Sequence, residues 1–175
     1  NSNLAAGQYS IQYMSTIVDT WAKSIGGSNN ESVYEMAVDN SGNIYITGTF
    51  NGTVDFDPGT GTSNITSSTL TEVYFAKYSS NGDLVWANSI AGTQGMEGES
   101  IAVDNSGNVY ITGYLNGTAD FDPGSGTTNL TAAGGDIYFA KYDSNGNLVW
   151  AKNFGSSFAS IGKSITTDNS GNIYL

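Results

Sequence analysis

The sequence predicts an all-β protein in which four-stranded antiparallel sheets follow one another in tandem. Three observations predict it. Apolar and polar residues alternate with a period of two across most segments, the period of a strand with one buried face. Clusters of Gly, Asn, Asp and Ser interrupt that alternation roughly every eight to twelve residues, the spacing of short strands joined by tight turns. The chain also repeats itself. Residues 38–62 and 103–127 differ at 5 of 25 positions, of which only Thr49/Tyr114 is a drastic change, and residues 73–87 and 137–151 differ at 3 of 15. The repeat length is 65 residues from Asp39 to Asp104 and 64 from Asp104 to Asp168. Self-similarity of this kind marks units that bury apolar surface against their own copies.

Taken in order, the chain opens on half a unit. WAKSIGG from Trp21 matches WANSIAG from Trp86 and WAKNFGS from Trp150, and a step back of one repeat sets Tyr9 and Tyr13 under Tyr74 and Tyr78. The divisions are a partial unit over 1–30 carrying outer strands, whole units over 31–95 and 96–158, and the inner strands of a third unit over 159–175. Inner strands are expected near 35–38, 99–103 and 163–167. Each leads through a DNSGN turn into a second strand, at 44–49, 109–114 and 173–175. Outer pairs at 73–78 with 84–89, and at 137–142 with 148–153, are joined by Asn-Gly turns suited to positive φ. Between inner and outer pairs lies an insertion, TVDFDPGTGTSNITSS or TADFDPGSGTTNLTAA, which adds a short hairpin. Strand alternation lets Tyr74, Ala76 and Tyr78 pack on one neighbouring sheet, with Trp86 and Trp150 as anchors between sheets.

Four alternating strands per unit, repeated in tandem, is the pattern of a β-propeller blade. The stretch DNSGNIYITG followed by YFAKYDSNGNLVWA resembles the SBBP β-propeller repeats of bacterial secreted proteins. The DFDPG-containing variant is similar to repeats in large surface proteins of Bacteroidota that use the type IX secretion route. The resemblance implies an extracellular or cell-surface location. A propeller closes with about four to eight blades, so two whole blades and two halves make an incomplete one. The expectation is a portion of a longer propeller, a homo-oligomer, or chains joined head to tail through open blade edges.

Composition narrows the chemistry. Five Lys, no Arg and 16 Asp+Glu give a net charge of −11, with no His and no Cys. That balance disfavours nucleic acid and anionic membrane surfaces as partners. Without His or Cys the chain has no Ser-His-Asp triad, thiolate nucleophile or Cys/His zinc site. No stretch reaches the roughly 18 apolar residues of a membrane-spanning helix.

The leading site candidates are Asp55 and Asp57 and their copies Asp120 and Asp122. Carboxylates at i and i+2 followed by a Gly-rich turn suit Ca²⁺; the other reading is that Asp57 and Asp122 cap an Asx-Pro turn while Asp55 and Asp120 pair with a lysine or face water. Asp39, Asp104 and Asp168 open DNSGN sequences whose residue types serve a tight turn. Lys77 and Lys141 are expected to pair with Asp39 or Asp55 and their counterparts. The function expected is a non-catalytic, secreted or surface-displayed repeat region that offers a rigid face for adhesion or for protein or glycan ligands. One alternative is a polymer or oligomer assembled by strand complementation at blade edges. Another is the propeller part of a polysaccharide-active enzyme, using acid pairs such as Glu97 and Glu99 or Asp55 and Asp57.

Overall fold

The computed structural model describes residues 21–68, 71–168 and 170–175. The positions of Tyr9 and Tyr13 lie outside them. The described chain is strand and turn throughout, with no helix. Its strands are β1 (Gly26–Gly27), β2 (Glu31–Val38), β3 (Ile44–Phe50), β4 (Thr53–Asp55), β5 (Asn64–Thr66), β6 (Glu72–Tyr78), β7 (Leu84–Gly92) and β8 (Glu97–Val103). They continue as β9 (Val109–Leu115), β10 (Thr118–Asp120), β11 (Asn129–Thr131), β12 (Asp136–Tyr142), β13 (Leu148–Phe154), β14 (Thr166–Thr167) and β15 (Ile173–Tyr174).

Two antiparallel blades result, β2-β3-β6-β7 and β8-β9-β12-β13, and β14-β15 begins a third sheet. Both blades share their details. Each inner strand carries a bulge, at Tyr34 in β2 and at Glu99 in β8, where the register to the second strand shifts. The bulge presses the inner strand onto a glycine of its partner. A Cβ on Gly48 would collide with the Ser32 carbonyl, and one on Gly113 with the Glu97 carbonyl, so glycine is required at both.

The inserted hairpins form as expected but attach elsewhere than to their own blade. β10 pairs with β7, the outer strand of the preceding blade, through Ala119↔Gly92 and Asp120↔Ala91. One repeat earlier β4 pairs with β1 through Val54↔Gly27 and Asp55↔Gly26. The register is identical, so each insertion extends the sheet before it and joins neighbours by backbone hydrogen bonds.

Most of the core lies between blades. Tyr45, Val73, Phe75 and Ile90 of the first blade meet Ile101, Val109, Ile111, Phe121, Tyr138 and Tyr142 of the second. The Phe75 and Tyr142 rings sit 4.3 Å apart. Tyr138, Ala140 and Tyr142 face the preceding blade, which is the side chain alternation expected for their copies Tyr74, Ala76 and Tyr78. Trp86 is an inter-blade anchor: its indole N–H donates to the Ser144 carbonyl at 3.2 Å, as the Trp21 indole donates to the Ser80 carbonyl at 3.1 Å.

Candidate functional site

The repeated polar motifs fold into structural devices. In DNSGN the Asp39 carboxylate accepts the backbone N–H of Ser41 and Asn43, the Asn43 side-chain amide at 2.8 Å, and the Tyr45 hydroxyl at 3.1 Å. Asp104 and Asp168 repeat the pattern with Tyr110 and Tyr174. The glycine of each turn takes positive φ, 79°, 78° and 82° for Gly42, Gly107 and Gly171, the left-handed conformation only glycine adopts freely. Partial burial pushes the Asp39 and Asp104 carboxyls up, and the hydrogen bonds they accept outweigh it and hold them below the ordinary range. Asp168, bonded chiefly by the Asn172 side chain, falls to about 2. Asx-turn chemistry that stabilises the ionised carboxylate accounts for the whole motif.

The DFDPG segments are turns as well. Asp55 Oδ1 accepts the Asp57 N–H at 3.0 Å and the Ser63 N–H at 2.8 Å, closing the loop, while Asp57 Oδ1 accepts the Gly59 N–H at 2.8 Å. Asp120 and Asp122 make the same bonds to Asp122, Thr128 and Gly124. The phenylalanine between the acids is core: Phe56 and Phe121 are fully buried, and their carbonyls accept the Tyr78 and Tyr142 hydroxyls at 3.0 Å. Among the described residues no three acidic side chains converge on one point.

Lys77 and Lys141 depart from expectation. Neither forms an ion pair among the described residues; each ammonium stands 5.2 Å from a ring centroid, of Tyr45 and Tyr110 respectively. Strand register explains the change. Lys77 is opposite Tyr45 in the β3–β6 pair, so the adjacent ring takes the charge before a carboxylate on the turn is reached.

Glu97 and Glu99, an acid pair expected for sugar hydrolysis, share their surroundings with Lys163. Glu97 is pushed up by burial and by a hydrogen bond shared with Glu99, and Glu99 accepts the Lys163 ammonium at 2.6 Å.

Two features escaped sequence reasoning. Glu35 reaches across the blade boundary, where its Oε2 accepts the Ser100 hydroxyl and, at 2.8 Å, the Ile101 N–H. One repeat on, Ser100 Oγ accepts the Ile165 N–H at 3.0 Å. The signal was the register Glu35, Ser100, Ser164, which changes within an otherwise faithful repeat. The second is a cavity of about 410 Å³ at the same boundary, beside Ser32, Tyr34, Thr49 and Glu97.

Residues 20–54 and 73–122 match the SBBP family, described as Beta-propeller repeat. These segments are SBBP-type β-propeller repeats. The chain is 28% identical over 89% of its length to an uncharacterized WD repeat-containing protein of Acanthamoeba polyphaga mimivirus. It is 26% identical over 78% of its length to the regulatory protein FlaEY of Caulobacter vibrioides. The chain spans 13% and 14% of the length of these relatives.

Proposed function

We propose that these SBBP blades form a non-catalytic display region of a secreted or cell-surface protein, binding protein or glycan ligands on a rigid face. One observation carries this reading: the polar groups that recur in every repeat are engaged in holding turns and blades. The aspartates of DNSGN and DFDPG bond backbone amides, the lysines sit over tyrosine rings and the tryptophans tie one blade to the next. What recurs builds the scaffold, and what varies is left to face a ligand. The test is binding of the intact chain to immobilised surface polysaccharides and extracellular proteins, run beside an assay for glycan turnover. Saturable binding without turnover is the expected outcome, and turnover would transfer the chain to the enzyme class.

Calcium stiffening through Asp55, Asp57, Asp120 and Asp122 is a separable proposal. It calls for a melting temperature that rises in millimolar Ca²⁺ and loses that rise in the Asp57→Ala, Asp122→Ala double variant. An unchanged melting temperature leaves the aspartates as turn residues alone.

A second reading, self-association through blade edges, draws support from the exposed face of β2. Met36 is 58% exposed, whereas its copy Ile101 is 3% exposed under the first blade. Sedimentation or electron microscopy at rising concentration decides it, rings or filaments being required.

A further inference from the structure

The repeats are near-copies, and several of the positions at which they differ meet in space. Ser32, Tyr34, Thr49 and Thr71 of the first blade become Glu97, Glu99, Tyr114 and Gly135 in the second. The four first-blade residues, together with Glu97 and Tyr114 across the boundary, line the cavity of about 410 Å³ between blades. That volume lies within the range of small-molecule sites.

The second blade carries different side chains at these positions, and its Tyr114 also reaches the wall of the first cavity. There the Tyr114 ring lies on Gly135, so close that a Cβ added to the glycine would meet the ring Cε2 at 2.7 Å. In the first blade the tyrosine is Thr49 and the glycine is Thr71. The exchange removes the ring and leaves hydroxyls on the wall. Tyr34, half exposed, presents its ring beside the opening, and its hydroxyl oxygen stands 3.5 Å from Thr49 Oγ1, a loose contact that a ligand hydroxyl can replace.

We infer that the cavity between the first two blades is a binding site for a neutral sugar unit, with the Tyr34 ring as the stacking face and Ser32, Thr49 and Thr71 as hydroxyl partners. The class follows from the lining. Glu97 is the single charged residue among those that line it and no lysine does, so in a chain of net charge −11 an anionic sugar is repelled. Hydroxyl and amide groups that both donate and accept, beside the aromatic side chains Tyr34, Phe50 and Tyr114, match a ligand of alternating hydroxyls and C–H surface. This inference rests on the display reading and narrows its glycan branch to one place.

The test uses the full chain and a panel of D-glucose, D-galactose, D-mannose, L-fucose and N-acetyl-D-glucosamine, with D-glucuronic acid as the anionic control, followed by amide NMR titration. At least one neutral sugar is expected to shift amides of residues 30–34 and 49–51, with no response to glucuronate. The Thr49→Tyr, Thr71→Gly double variant sets the second blade's side chains on the cavity wall, and its melting curve checks that the fold is kept. It should weaken that sugar by at least about tenfold, while Tyr34→Ala weakens it without refilling the cavity. Sugar binding that survives the double variant overturns the assignment. So does the absence of any sugar response in a chain that still captures an immobilised protein ligand, which leaves the display reading standing. A chain that holds neither sugar nor protein overturns both.

Discussion

The second strands of the two blades, β3 and β9, are almost the same sequence in different surroundings. Ile44, Tyr45 and Ile46 correspond to Val109, Tyr110 and Ile111. Val109 and Ile111 are completely buried because the first blade lies over them, whereas Ile44 and Ile46 remain partly exposed at the margin of the cluster that buries Phe50, Val54 and Phe56. Strand formation is thus a property of the repeat, and burial is a property of its neighbour. In a stacked array stability divides into the terms within a repeat and the terms between repeats, and this pair of strands separates them.

The largest expected effect tests that division. Ile111→Ala should cost about 2–5 kcal/mol by chemical denaturation, the range for a buried large-to-small change, and Ile46→Ala should cost less than half as much. Equal losses would mean that the blades are stabilised internally and that stacking contributes little.

Glu35 sharpens the comparison at the boundary itself. Glu35→Ala strands the Ser100 hydroxyl and the Ile101 N–H and is expected to cost about 1–3 kcal/mol. Glu35→Ser restores the residue that the later copies use, where a serine serves the equivalent N–H, and should recover part of that loss. If the two variants melt alike, the contact across the boundary is incidental.

Acid should loosen the turns next. Asp39, Asp55, Asp104, Asp143 and Asp168 have folded-state pKa values below the unfolded value, which is about 3.9 for aspartate. Their contribution is therefore present above about pH 4 and is lost as pH falls through the folded values, down to about 2 for Asp168. Glu97 has the opposite sign: its raised pKa contributes at low pH and the contribution is lost as pH rises through the folded value. The melting temperature is expected to fall from pH 4 toward pH 2, with a shallower fall in Asp104→Asn. A profile unchanged by that variant would remove the turn carboxylates from the account.

The smallest effect concerns the lysines. Lys77→Met should cost about 0.5–1 kcal/mol, the range for an exposed cation over a ring, with the same loss at low and high salt. A loss that vanishes in high salt would restore the ion pair in place of the Tyr45 contact.

Much of this was legible in the sequence because it is local. Turn chemistry placed the DNSGN and Asn-Gly connections, and period-two alternation placed each four-stranded set within a few residues. The strands themselves run slightly longer than expected, β7 reaching Gly92, because the next repeat's hairpin pairs with its end. No local pattern signals that a hairpin will cross to another sheet. The Lys77 contact escaped for the same reason, since which groups stand opposite one another is set by register between strands far apart in sequence. Of the site, Thr49/Tyr114 stood out as a drastic change in the repeat, but that both residues line one cavity needed the two blades to be seen side by side.

By itself, the order of residues determined the strands, their turns and the number of repeats, because backbone conformation and alternation respond to near neighbours. Tertiary structure decided which blade each hairpin joins, which faces are hidden and where a cavity remains, because those outcomes depend on surfaces meeting that lie about 65 positions apart. In a repeat protein such distant surfaces are almost the same sequence, and only their stacking tells them apart.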